Sequence, residues 1–334
     1  MSCAVSQPAA ARHVGVIGLG YWGTALATHL ARLGHHVTGW SRDADLVQSI
    51  QDTKRHLTCF PEHTLPFTAT TKLEALLASD MIIVALPTRA IAEYDFAAKL
   101  TAHQYLISVM KGFELASALT PCAFFQARGT AAKLATLSGP SFAIDVMDGT
   151  PVAVSAAASS KTDAQAVANL FHSSSMRVYL SDDLIGVELG GALKNIIALA
   201  SGICAGLCFG DSTKAALMTR GLAEMTRFAV HFGARSQTLS GLSGLGDLIL
   251  TASSMQSRNY SFGYKLGQGA TPEQAALAVG STTEGVFSTP VVTRMAKQHG
   301  IAMPITEALN QVLLQVIRPE DMVGLLMTRP ATEE

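Results

Sequence analysis

Charge is scarce in this chain. Only 15% of its 334 residues are Asp, Glu, Lys or Arg, and the formal net charge is −1. No overall field steers such a protein toward nucleic acid or a membrane surface, so an anionic ligand would have to be held by a few local cations. Cysteine is also sparse. Cys3, Cys59, Cys122, Cys204 and Cys208 form no CxxC pair and are odd in number, which reads as reduced thiols rather than a disulfide framework. His56, Cys59 and His63 lie near one another, but no second ligand pair follows. They read as surface side chains on a loop, and no metal is expected. Apolar runs stop short of the ~20 residues that span a bilayer. The opening "MSCAVSQPAAARHVGVIG" lacks the long apolar stretch of a signal peptide. No fixed-period repeat or low-complexity tract occurs, and a cytoplasmic protein without membrane insertion is the expectation. Apolar residues, by contrast, are plentiful at 49%. That excludes disorder and, at this length, is enough for two domains.

Up to about residue 180, short β-branched runs alternate with helical patterns. "VGVIG" (14–18), "HVTGW" (36–40), "MIIVALP" (81–87), "YLISVMKG" (105–112), "LATLSGP" (134–140), "PVAVS" (151–155) and "RVYL" (177–180) read as strands covered on both faces. Leu26, Leu30 and Leu33 keep helical spacing between the first two, and Gly34 stops that helix. Repetition of this strand–helix–strand unit predicts an α/β domain with a parallel, doubly wound sheet over residues 1–182. From residue 183 to 334 the pattern is helical periods punctuated by glycine, which predicts an all-α domain. Within it a helix is expected to open at an N-cap on Asp211 or Ser212, carry Met218, Leu222, Met225 and Ala229 on one face, and end at Gly233. Glycine-rich helices of this kind permit a homodimer without demanding one.

"GLGYWG" supplies Gly18, Gly20 and Gly23 directly after the first strand and at the start of the first helix. In that context GxGxxG predicts a dinucleotide site: a tight turn, close approach of backbone to pyrophosphate, and close packing of helix on sheet. The second strand ends in "WSRD". Arg42 can pair with a 2′-phosphate before Asp43 is reached, so NADPH is expected to be preferred and NADH tolerated. Three further loops end strands at the same sheet edge: "LPT" (86–88), "MKGFE" with Lys111, and "SGPSFA" with Ser141. In the helical half, "GLSGLGDLILT" sets Asp247 and Thr251 four apart on one helix face, and "QSRN" strings together Ser257, Arg258 and Asn259, groups suited to a phosphate. The apolar run "GVELGGALKNIIALASG" carries a single cation, Lys194, beside Asn195. An ammonium there calls for a reason.

These motifs, with "TTEG" and "MPITEAL", occur in order along nearly the whole chain, which resembles the bacterial NAD(P)-dependent glycerol-3-phosphate dehydrogenases. The resemblance implies a Rossmann domain followed by a helical substrate domain. It implies reversible reduction of dihydroxyacetone phosphate to sn-glycerol 3-phosphate with NADP or NAD, a step toward glycerophospholipids. It makes Lys194 the proton-transfer residue. Lys111, Gly139, Ser141, Asn195, Asp247, Thr251, Ser257, Arg258 and Asn259 would line the substrate. Tyr21, Trp22, Arg42, Lys111, Ala143, Arg258, Thr282 and Glu284 would join the three glycines around the nucleotide. The chain departs from the family at Tyr21, usually serine, at "CAG" (204–206), usually SDG, and at "DSTK" (211–214), usually DNAR. Thr282 stands where an aliphatic residue is common, and Ser254 where Asp is usual. Related two-domain dehydrogenases of hydroxy acids or opines, and a non-catalytic NADP-binding protein, remain alternatives at this stage.

Overall fold

The structure, a computed structural model, describes residues 11–280 and 283–328. Thr282 lies outside the described residues. The first half runs β1 (His13–Ile17), α1 (Tyr21–Arg32), β2 (His36–Trp40), α2 (Ala44–Thr53), β3 (Thr68–Thr70), β4 (Met81–Val84), β5 (Tyr105–Ser108), α3 (Pro121–Ala127), β6 (Lys133–Ser138), α4 (Ala143–Asp148), β7 (Val152–Ala158), α5 (Lys161–Phe171) and β8 (Met176–Ser181). The strands form one eight-stranded sheet in the order β3-β2-β1-β4-β5-β6-β7-β8. Central strands such as β4 are buried along their whole length, as strands covered on both faces must be. One apolar cluster joins α1 and α5 to one side of the sheet through Leu26, Leu30, Val167 and Phe171; a second gathers Leu76, Ile91, Phe96 and Phe125 on the other.

The sheet is not parallel throughout, as the sequence pattern predicts. β6 and β7 pair antiparallel, and β8 is parallel to β7. The link between β6 and β7 explains the reversal. Its helix α4 has only six residues, which rise ~9 Å, whereas a six-residue strand is ~20 Å long. The chain cannot get back to the far edge of the sheet, so it re-enters from the edge it has just left. The three-residue strand β3 was also not expected; it is too short to carry an alternation.

The second half is helical: α6 (Leu184–Gly206), α7 (Asp211–His231), α8 (Ser236–Leu239), α9 (Asp247–Ala252), α10 (Arg258–Gly267), α11 (Pro272–Val279), α12 (Glu284–His299), α13 (Pro304–Leu313) and α14 (Pro319–Met327). The N-cap of α7 is Gly210, so Asp211 and Ser212 stand inside its first turn rather than capping it. α6 is the axis of this half, buried from Gly186 to Cys204. By length and composition it could cross a membrane, contrary to the reading of the apolar runs, but 89% of its most apolar window is buried inside the protein. It packs backbone to backbone on α10: a Cβ added at Gly202 would land on the carbonyl oxygen of Tyr260. α6 also touches β6 and β7, and its Glu188 accepts a hydrogen bond from the Cys122 backbone at 2.9 Å. The two halves are thus joined along this helix.

Candidate active site

The turn between β1 and α1 makes three different demands on its glycines. Gly18 has φ +102°, a region where side chains are strained. Gly23 faces the carbonyl oxygen of Gly18, which leaves no room for a Cβ. Gly20 differs: its backbone is extended, φ −79° and ψ −169°, and a Cβ there would meet nothing within 4 Å. The protein itself does not require glycine at that position. The open space in front of Gly20, next to the unpaired N–H groups that begin α1, fits an anionic group brought close to the backbone. Tyr21 is half exposed and meets Phe60 edge-on, Trp22 packs into the core with its Nε1 buried and unpaired, and Ala143 is half-buried at the start of α4. Arg42 follows β2, its side chain 75% exposed and 3.5 Å from Glu93.

Opposite this edge lies the answer to the lone lysine. Lys194, in mid-α6, is buried and donates to Asp247 Oδ1 at 2.7 Å and to Thr251 Oγ1 at 2.5 Å. Lys111, from the turn after β5, donates to the other oxygen of Asp247 at 2.5 Å. The one-turn separation that brings Asp247 and Thr251 to one face lets both hold the same amine. Gly191 lets the stem of Lys111 lie along α6, since a Cβ there would stand 3.4 Å from Lys111 Cγ and 3.0 Å from Ser138 Oγ. Burial lowers the Lys194 pKa to about 8, with Asp247 opposing the shift and Lys111 adding to it. For Asp247 burial alone would raise the pKa, but the two ammonium groups outweigh it and hold the carboxyl below its usual range. An ammonium has three N–H donors, and Asp247 and Thr251 take two, leaving one for a ligand oxygen.

The remaining expected residues divide. Gly139, at φ +154°, turns its carbonyl oxygen to within 3.5 Å of Lys111 Nζ and accepts from Ser141 Oγ at 3.3 Å. Ser257 caps α10, its Oγ accepting from the Tyr260 backbone. Asn259 is spent on bracing: it donates to Asn195 Oδ1 at 2.9 Å and accepts from the Gly285 backbone at 2.8 Å, tying α10 to α6 and α12. Arg258 is exposed, close enough to Cys59 and Glu284 to act on both electrostatically. Glu284 reaches across the halves, accepting from Thr88 Oγ1 at 2.6 Å and Thr88 N at 3.2 Å, and Arg89 lies 4.8 Å over the Phe287 ring beside it. "LPT" marked the first partner of this clasp, but nothing in a sequence pairs residues 196 apart. His56 is not the surface side chain expected: it is 4% exposed and bonded to Leu19 in the glycine turn. His63 is half-buried, its Nε2 2.7 Å from Asp148 and its Nδ1 covered. Among the described residues there is no metal-holding cluster, and Cys59, Cys122, Cys204 and Cys208 are free thiols.

A glycine turn of dinucleotide-binding form at the sheet edge, together with a buried amine held by a carboxylate where the two halves meet, is what a nicotinamide-dependent oxidoreductase needs, and the fold and site define that class. The family models for the N- and C-terminal parts of NAD-dependent glycerol-3-phosphate dehydrogenase match residues 13–164 and 183–324. The chain belongs to this family, whose members use NAD or NADP. It is 40% identical to the glycerol-3-phosphate dehydrogenase [NAD(P)+] of Parvibaculum lavamentivorans, over 97% of this chain and 98% of that protein. It is 42% identical to the one from Staphylococcus carnosus, over 96% and 99%. The crystal structure of glycerol-3-phosphate dehydrogenase from Coxiella burnetii superposes with a TM-score of 0.91 at 36% identity, covering 96% of this chain and 99% of that one.

Proposed function

We propose that this enzyme reduces dihydroxyacetone phosphate to sn-glycerol 3-phosphate, reversibly and in the cytoplasm, as a supply of glycerophospholipid backbone. Glycerol 3-phosphate is the compound in the names of relatives about 40% identical along the whole chain, and its oxidised partner is dihydroxyacetone phosphate. The observation that carries the assignment of roles is the Lys194–Asp247–Lys111 cluster, buried where the two halves meet. When bound, the dihydronicotinamide supplies a hydride to the carbonyl carbon. The protein must then furnish a proton to the developing alkoxide. Lys194, with a pKa of about 8, is mostly protonated at neutral pH yet gives up its proton far more readily than a free lysine at ~10.4. Asp247 and Thr251 orient it. Lys111, a second cation on the same carboxylate, stabilises negative charge on the substrate oxygen.

Arg258 is exposed at the start of α10, and its guanidinium, with the turn at Gly139 and Ser141, is assigned to the substrate phosphate, while Ser257 and Asn259 support it by capping α10 and bracing it to α6 and α12. Holding the remote dianion positions the carbonyl. Gly18, Gly20 and Gly23, with Tyr21, Trp22, Ala143 and Glu284, form the nucleotide side. Arg42 favours NADPH over NADH through the 2′-phosphate. The functional division falls between residues 182 and 183, and a homodimer is the assembly to look for.

The test is kinetic. Lys194→Met is expected to collapse kcat by roughly a hundredfold or more while nucleotide binding survives. Near-normal turnover would sink the acid–base role. Assay of dihydroxyacetone phosphate against 2-keto acids tests the substrate, and an NADH preference above about tenfold in kcat/KM would overturn the cofactor preference.

A further inference from the structure

His56 sits in the turn after α2, in a segment without regular structure, where the fold gives no reason for a buried imidazole. Its two ring nitrogens are both engaged, and the partners leave no choice of tautomer. Nε2 lies 2.9 Å from the carbonyl oxygen of Leu19, which can only accept. Nδ1 lies 3.2 Å from the backbone N–H of Cys59, which can only donate. The proton must therefore be on Nε2, and Nδ1 must be bare. The same turn is pinned twice more: the Phe60 backbone donates to His56 O at 2.8 Å, and the Phe60 ring meets Tyr21 edge-on at 5.6 Å.

Leu19 is the second residue of the glycine turn. A trans peptide is planar, with its C=O and N–H pointing in opposite directions. Turning Leu19 O onto His56 therefore turns the Gly20 N–H away from it. The next carbonyl, Gly20 O, is taken by the Thr24 backbone at 2.9 Å. Two carbonyl oxygens that would repel an anion are thus held inside the protein, and the N–H groups are left to face the ligand.

We propose that His56 is a positioning residue of the nucleotide site, its neutral imidazole fixing the glycine turn with donors outward and acceptors inward. This rests on the reading of that turn as the pyrophosphate site. Protonation would keep the Nε2–H on Leu19 O but put a hydrogen on Nδ1 against the Cys59 N–H, driving the ring off the segment that holds it in place. Burial favours the neutral ring and lowers its pKa, outweighing the hydrogen bond to Leu19 O and the more distant Asp43 at the N-cap of α2, which both favour the charged ring. Tyr21 from α1 and Arg258 from α10 flank the same turn by way of Phe60 and Cys59. Nucleotide binding and His56 protonation should therefore exclude each other.

The experiment uses the full chain and NADH, which has no 2′-phosphate to titrate. Nitrogen-15 NMR of the His56 ring should show the Nε2–H form, a pKa below ~6.5, and a further fall on adding NADH. His56→Leu should weaken NADH binding tenfold or more. His56→Gln, which keeps a donor for Leu19 but does not titrate, should bind as wild type does at pH 7.5 and lack the weakening expected of the wild type as the pH is lowered toward 5. An Nδ1–H tautomer, a pKa unmoved by NADH, or the same acid weakening in His56→Gln would overturn the proposal. Gly20→Val separates the two readings. If it leaves NADH affinity unchanged, the turn is not the pyrophosphate site. If it abolishes binding while His56→Leu does not, only the role of His56 fails.

Discussion

Asp247 and Glu224 are both carboxylates of the helical half, 1% and 3% exposed, yet they hold opposite relations to their protons. Asp247 stands between two ammonium groups and is held ionised below the usual carboxylate range. Glu224 joins α7 to the start of α13, accepting from the backbones of Ile305 and Thr306 and from the Thr306 hydroxyl. Those dipoles do not offset its burial, and its pKa rises to about 7. Full charges compensate a buried carboxylate where helix-end donors do not. The cleft uses two lysines to keep one aspartate charged, and in return Asp247 keeps Lys194 from losing its proton too early.

Asp247→Asn should break this contrast most severely. It would leave the buried Lys194 ammonium and the half-buried Lys111 ammonium without a counter-charge, costing on the order of 3 kcal/mol of stability and about a thousandfold in kcat. Urea unfolding and steady-state kinetics would measure the two losses. The pH profile comes next. In the reductive direction the acid is protonated Lys194, so kcat/KM should fall about tenfold per unit above pH about 8, whereas the oxidative direction, which needs the free amine, should rise up to about pH 8 and level off above it. Asp247→Asn should move that limb to lower pH; a limb that stays would mean another group titrates. Thr251→Val removes one acceptor of the amine and should cost roughly tenfold in kcat with KM little changed. Glu224→Gln should leave activity untouched. Between ~4.3 and about 7 the folded state holds a proton that the unfolded chain has lost, so stability falls as pH rises through that window. The variant should remove that slope, read from Tm against pH.

Much of this was legible in the sequence because it is local. The β1–turn–α1 unit carries its glycines within six residues, and the apolar stretch around Lys194 announces a buried cation without structural help. Asp247 and Thr251 could be put on one face from helical spacing alone. What escaped depends on chain reach or on distant partners. The reversal at β7 follows from the shortness of α4, which periodicity does not report. The clasp of Glu284 on Thr88 joins residues 196 apart. His56 lies in a stretch with no period, where a buried imidazole and an exposed one are written alike. α6 has the length and composition of a membrane span, which the reading of short apolar runs passed over, yet its small side chains are what let other helices close around it.

The vacant space in front of Gly20 has an evolutionary consequence. Glycine and alanine codons differ by one base, and the fold would tolerate the added methyl there, whereas at Gly23 it would not. If the turn holds the pyrophosphate as proposed, a single mutation within it would yield either a chain that cannot close the turn or a sound one that no longer holds its coenzyme. A lineage that lost the need for the reaction could keep the scaffold intact and turn it to other uses.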